Sequence, residues 1–442
     1  MLRENPKERG QEDLFRSLLV NMIDLRHPLV QLSRLVDWDG LASDFAQYYC
    51  ADNGRPGKSI RLMAGLCLLK DMKGLSDEEV CATWRENPYF QYFCGEEFFQ
   101  HRLPVEPPSL SIFRKRIGEA GLQRLLQETV QLGLKTGTIN QKDLQVVTVD
   151  TTVQEKAVQF PTDSRLCHKA RAELVDLARQ FGIALRQSYT RSSKKALFMA
   201  NRYLSARQMN RGRKEIKKLR NYLGRVMRDI ERSGTISEII QSALDKAAII
   251  YGQTLNPQAA NKLYSWHAPE VECIAKGKAH KKYEFGCKAS LAGTNKSNFM
   301  VGAMAHHGKP YDGHTLSTVL THIQSITGVK PKEAYVDQGY RGHGVPATDT
   351  TVILARQKRS VSKAQRKRQH RRNALEPMIG HCKNDRKVGP RSWLRGKLGD
   401  QINIIASAIG YNMRKILNKI FLYLFAKLLQ VFYPTQNRIH YA

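Results

Sequence analysis

The chain has 442 residues, and its 71 Lys and Arg outnumber 40 Asp and Glu to give a formal net charge of +31. So large an excess repels itself unless a polyanion neutralises it, which points to nucleic acid as the partner. Eight cysteines without a CxxC pair or Cys-His spacing argue against zinc and disulfides, and for a reduced, cytoplasmic protein.

The first residues, Met1 to Pro6, are polar and lack the apolar stretch of an export signal. Residues 1–140 read as a helical N-terminal domain for DNA binding or dimerisation, because apolar residues recur at three- and four-residue spacing. Ser76 and Glu79 form a capping box that opens a helix at Asp77, and Asn87-Pro88 stops it. Pro104, Pro107 and Pro108 then interrupt the pattern. Ser109 is expected to cap a helix with Ile112, Phe113 and Ile117 on one side and Arg114, Lys115 and Arg116 around the other, the latter three as candidate phosphate contacts.

The texture changes near residue 143. Leu144 to Val149 is a β-branched run suited to a strand covered on both faces, ending at Asp150. Further strands are expected over 283–291, 299–305, 333–336 and 351–355, with a helix over 312–326. This order fits an α/β domain, a mixed sheet flanked by helices, assembled from 141–164 and 276–415. Between its first and second strands lies a basic helical insertion, 165–275. There Ile216, Leu219, Leu223, Val226 and Ile230 alternate spacings of three and four, as in a short coiled-coil hairpin. The other faces of that segment carry many cations, among them Lys217 and Arg220, and only Glu215 and Asp229 oppose them, which favours a nucleic-acid face over a merely solvated one.

Residues 356–372 are the densest basic run and lead directly to Glu376; the expectation is a phosphate-gripping loop, with Arg371 and Arg372 at its end and Lys383 two helical turns past Glu376. Residues 416–442 form a C-terminal helix whose apolar part, 420–433, contains Lys427 and is too short to span a bilayer, so it reads as a packing or dimerising element with no membrane role. His306, His307 and His314 lack further spaced ligands and read as surface or turn histidines, and Trp266 as a core or interface residue.

Three acidic residues carry the chemistry. Asp150 and Asp337 each follow an apolar strand, and Glu376 sits before Pro377 at a helix entrance. Two strand-tip carboxylates and a third from a helix can hold a pair of divalent cations on a phosphodiester. Taken singly, each has a plainer reading as a turn former or helix-dipole partner.

Together with Ser109 to Gly118, Val149-Asp150-Thr151-Thr152, His267 to Cys273, Tyr335 to Gly342, Glu376 to His381 and Gly399 to Asn403, these residues resemble the DDE transposases of bacterial insertion sequences, of the insertion-sequence-five type. The likeness covers most of the chain. It implies an RNase H-like catalytic fold in which Asp150, Asp337 and Glu376 bind Mg2+, with Mn2+ as substitute. It also implies cleavage at element-end inverted repeats and strand transfer by a homodimer or higher multimer on double-stranded DNA in the nucleoid. The family's Tyr-Arg-Glu-Lys pattern maps onto Arg372, Glu376 and Lys383, with Gln369 where Tyr stands. A different RNase H-like nuclease or resolvase, or a catalytically inactive DNA-binding relic, remain the alternatives.

Overall fold

The computed structural model describes residues 17–50, 57–234, 237–275, 282–357, 359–384 and 391–432. The polar hexapeptide at the N-terminus and the last ten residues of the expected C-terminal helix lie outside them. Backbone contacts divide the chain into two compact units, residues 1–154 with 288–442, and residues 155–287.

In the first unit the N-terminal residues are helical, as their spacing predicts: α1 (Leu19–Met22), α2 (Pro28–Leu35), α3 (Trp38–Ala46), α4 (Ile60–Lys73), α5 (Asp77–Glu86), α6 (Pro88–Phe93) and α7 (Pro108–Lys135). The capping box opens α5, with Ser76 N–H donating to Glu79 Oε2 at 2.8 Å and Glu79 N–H to Ser76 Oγ at 3.0 Å. Helix α7 starts earlier than expected. Pro108 occupies its first position, and no side chain caps it, because the N-cap residue Pro107 carries no acceptor, while Pro108 itself has no amide hydrogen left to satisfy. These helices do not form a core of their own but share one with the sheet.

The second unit begins within β1 (Val146–Glu155) and continues through α8 (Asp163–Gln180), α9 (Thr190–Ser205), α10 (Met209–Arg232), α11 (Glu238–Leu255) and β2 (Glu272–Ala275). The heptad residues Leu219, Leu223, Val226 and Ile230 of α10 are buried. They meet α8 and α11 as well as α9, so the segment is a small helical bundle rather than a two-helix hairpin. Trp266 belongs to that core. β2 pairs antiparallel with the start of β3 (Tyr283–Thr294).

Back in the first unit follow β4 (Met300–His306), α12 (Asp312–Thr327), β5 (Glu333–Val336), β6 (Thr351–Leu354), α13 (Lys363–Arg371), α14 (Leu375–Asn384) and α15 (Gly396–Phe432). The strands here run β4-β3-β1-β5-β6, antiparallel for β3 with β4 and parallel for β1 with β5 and β5 with β6. Period-two alternation separates the two faces of the sheet. Val147, Val149, Ala334 and Val336 enter the main core, whereas Tyr335, Ile353 and Val361 form a small second cluster with Val146 against it.

The long helix α15 packs on α4, α7 and β4, and it runs unbroken through the boundary expected near residue 416. Buried Asn412 fastens these layers: its Oδ1 accepts from Met300 N–H at 2.9 Å, and its Nδ2 donates to Met300 O at 2.8 Å and Thr129 Oγ1 at 2.9 Å. Replacing it with Leu strands the Met300 amide and carbonyl in the core, while the Thr129 hydroxyl keeps its bond to Leu126 O at 2.7 Å. Asn412→Leu should lower the unfolding free energy by about 3 kcal/mol, read from the urea midpoint at constant slope.

Candidate active site

The parallel pairing of β1 and β5 sets the geometry. Val146 lies opposite Glu333, Val147 opposite Ala334 and Thr148 opposite Tyr335. The recorded pairing ends there; continued two residues further, the same register would set Asp150 opposite Asp337, whose backbone is still extended (φ −80°, ψ −178°) just past the end of β5. Because side chains alternate, both carboxylates stand on the face that carries Thr148 and Tyr335, about one strand spacing apart. Asp150 is not at a strand tip as its sequence context suggests; β1 continues to Glu155, because Thr151-Thr152-Val153 is itself β-branched and favours the sheet over a turn. Asp337 does leave its strand: its Oδ1 accepts from Gly339 N–H at 2.7 Å and caps a turn of 3-10 helix over Gln338–Tyr340.

Glu376 lies in the first turn of α14 and is exposed. The helix is fixed near both ends. A Cβ at Gly293 of β3 would come within 2.8 Å of Met378 Cε and 3.4 Å of Leu375 Cδ1, and Lys383 Nζ donates to Val153 O of β1 at 2.7 Å. Lys383 therefore reaches the strand of Asp150, three residues beyond it. Ligand atoms of Asp150, Asp337 and Glu376 do not all lie within 4.8 Å of one another. The two aspartates thus come from adjacent parallel strands, and the glutamate from helix α14, which is anchored on β3 and β1.

The basic run before Glu376 is largely a helix, not the expected loop. A capping box of Ser362 and Gln365 starts α13, and Arg368 Nη1 reaches Glu333 Oε2 at 2.6 Å, which offsets part of the like-charge repulsion. Its two faces differ. Gln365, Arg368 and Gln369 turn toward the sheet, Gln369 Nε2 donating to Leu354 O at 2.6 Å, whereas Lys363, Arg366, Lys367 and His370 make an exposed stripe. Arg371 is tied to the carbonyls of Asn295 at 3.2 Å and Lys296 at 2.5 Å, and Arg372 is half-buried beside Asn373.

Of the other expected DNA contacts, Arg114 is a correction. It is buried in a two-bond ion pair with Asp77, at 2.9 and 2.6 Å, and is not a surface cation. Lys115 is exposed, as is Arg116, whose guanidinium lies 4.8 Å from the centre of the Tyr49 ring. In the second unit Lys217 is exposed on α10 with Lys214, Arg225 and Arg228, while Arg220 is half-buried and donates to Thr254 O at 3.5 Å.

Sequence reasoning missed a further group beside Asp337. Lys288 on β3 donates to Asp312 Oδ1 at 2.8 Å and to Pro310 O at 2.6 Å. Its register partner His306 donates to or accepts from Ser290 Oγ at 2.8 Å, and burial, then the Lys288 charge, push its pKa down to about 4. Tyr340 is fully buried, and burial, then Asp150, Asp312 and Asp337, push its phenol well above the usual range. The one signal in the sequence was Lys288 itself, the lone cation of β3, flanked by Gly286-Cys287 and Ala289.

Two predictions follow from these burials. Arg114→Ala should cost about 3 to 5 kcal/mol of unfolding free energy in urea, because Asp77 is left unpaired, while Lys115→Ala changes it by less than about 0.5 kcal/mol. For His306, the unfolded chain takes up a proton near its ordinary pKa of 6.5 and the folded chain only near 4. Stability contributed by the neutral ring is therefore lost as pH falls through that window, and His306→Gln should flatten the fall of Tm with pH there.

Comparison with known proteins adds identity to this geometry. The family model described as Transposase domain (DUF772) matches residues 18–116, which span α1 to α6 and the first turns of α7. The protein described as "Uncharacterized protein ORF8 in nfe locus" of Rhizobium meliloti is 47% identical over 207 residues, covering 47% of this chain and all of that protein. No solved structure matches. The N-terminal helices are thus a transposase domain with a transposition-related function, and the chain belongs to one family with the Rhizobium meliloti protein.

Proposed function

We propose that this protein is a DDE transposase of the insertion-sequence-five type, which binds the inverted repeats at element ends and catalyses cleavage and transfer of DNA strands. The observation that carries the reading is the parallel register of β1 with β5, Thr148 opposite Tyr335, which when continued two residues puts Asp150 beside Asp337. The strand order β4-β3-β1-β5-β6, with its antiparallel and parallel halves, supports an RNase H-like catalytic sheet.

The residues fit a divalent cation. Asp150 and Asp337 offer carboxylate oxygens on one face, Glu376 stands on the anchored helix α14, and the set is all oxygen, which suits Mg2+ or Mn2+. Such cations, when bound, polarise the scissile phosphodiester and stabilise the charge that develops on it. The rest of the work falls to the chain. The exposed cations of α13 sit on the helix that leads to Glu376 and hold flanking phosphates. Arg371 and Asn295 tie α13 to the β3–β4 turn, and Asn295 Nδ2 also donates to Thr148 Oγ1 at 3.0 Å and Arg368 O at 3.0 Å, so the phosphate-holding helix is braced directly against β1. In the first unit Lys115 and Arg116 offer further exposed cations to phosphates, and in the second unit α10 presents its own. Action at two paired ends calls for a homodimer or higher multimer.

The test is a cleavage assay on duplexes ending in the element's inverted repeats, with and without Mg2+. Asp150→Asn and Asp337→Asn should each reduce cleavage by at least about a thousandfold while gel shifts change by less than about threefold. Lys363→Ala with Lys367→Ala should weaken binding and lower the slope of log K against log salt by about two. Preference for branched junctions over terminal repeats would identify a resolvase instead, and binding without cleavage by the wild type an inactive relic.

A further inference from the structure

Beside Asp337 the structure gathers groups that the reading above leaves unused. A Cβ at Gly339 would lie 3.0 Å from Asp337 Oδ1 and 3.3 Å from Asp312 Oδ2, so the bare glycine separates two carboxylates that reach it from different elements. Asp337 arrives from the end of β5 and Asp312 from the first turn of α12. Any side chain at 339 would have to push one of them aside.

Two further observations point to a ligand. The Tyr340 hydroxyl is fully buried and makes no hydrogen bond of full geometry, the Ser290 side chain being its one hydrogen-bonding neighbour, while Asp150, Asp312 and Asp337 all act on it electrostatically. Ser290, which also borders it, has its own hydroxyl engaged with His306. A buried hydroxyl left unpaired is costly, and the cost disappears once a ligand turns an oxygen toward it. Meanwhile Asp312 is neutralised by Lys288, whose side chain is only 17% exposed. An ammonium bonded to a carboxylate and a backbone carbonyl, as Lys288 is to Asp312 and Pro310, occupies the electrostatic place of a cation beside that carboxylate.

We propose that Asp312 is a fourth carboxylate of the acidic site, that Lys288 serves as its counter-cation until a divalent ion binds, and that the Tyr340 hydroxyl donates to the site's oxygen ligands once the ion is in place. This rests on the reading of Asp150 and Asp337 as a cation site and deepens it. Asp312 and Tyr340 are positioning residues: the first draws the ion toward Asp337, and the second orients a carboxylate or water on it.

The probe is Tb3+ alone on the full-length protein without DNA, followed by its emission on excitation of the aromatic side chains and displaced with Mg2+. Asp312→Asn should weaken Tb3+ and Mg2+ affinity by about tenfold with unchanged far-ultraviolet circular dichroism. Tyr340→Phe should keep affinity within about threefold but lower emission per bound ion, because the nearest phenol is gone. If Asp150→Asn and Asp337→Asn leave affinity intact, the cation-site reading itself fails. If those two weaken binding while Asp312→Asn keeps wild-type affinity, or Tyr340→Phe keeps wild-type emission, the extension alone is overturned.

Discussion

A single pairing constrains the chemistry of this molecule: the parallel register of β1 against β5. A slip of one residue would turn one aspartate to the opposite face of the sheet and leave the other alone. The register is held from both sides. Val147, Val149, Ala334 and Val336 fill the main core, while Glu333 and Tyr335 are linked to each other at 2.7 Å and to Arg368 of α13 through Glu333. Hydrophobic burial on one face and a charged network on the other thus specify the same alignment.

The large positive charge is managed by sorting. Several cations that meet the protein interior are paired, as in Arg114 with Asp77, Lys156 with Glu270 and Lys288 with Asp312. Elsewhere they form stripes at helical spacing, on α13 and α10, opposite the faces that pack. The first group stabilises the fold; the second leaves a surface suited to phosphates and sensitive to salt. Helix α15 shows the converse feature, with Phe421, Leu422, Tyr423 and Phe425 about half exposed at its far end.

How much of this could be read in the residues depends on how local the signal is. The strand Glu333–Val336 and the helix from Asp312 match their expected bounds, because apolar runs and turn residues mark them directly. The capping box at Ser76 and the buried seam of α10 were equally plain. What the sequence hides is what depends on distant partners. Arg114 looks like a surface cation until Asp77, 37 residues earlier, is seen beside it. The run 356–372 looks too charged to fold until Glu333 and the Leu354 carbonyl take up its inner face. Asp150 has the look of a turn residue because a carboxylate in a strand interior is unusual, and Asp312 that of a simple helix start, since nothing near it in sequence announces Lys288 or Gly339. The two aspartates were legible as candidates, but their alignment was not, since register is a property of two strands and not of either alone.

In the proposed site Asp150 and Asp337 share one cation. Fe2+ placed in the site with ascorbate and peroxide generates hydroxyl radicals that cut only the backbone close to the ion. Fragments ending near both residue 150 and residue 337 are expected, both suppressed by excess Mg2+ and both lost in Asp150→Asn. Cleavage near one position without the other, or at sites that Mg2+ does not protect, would contradict it.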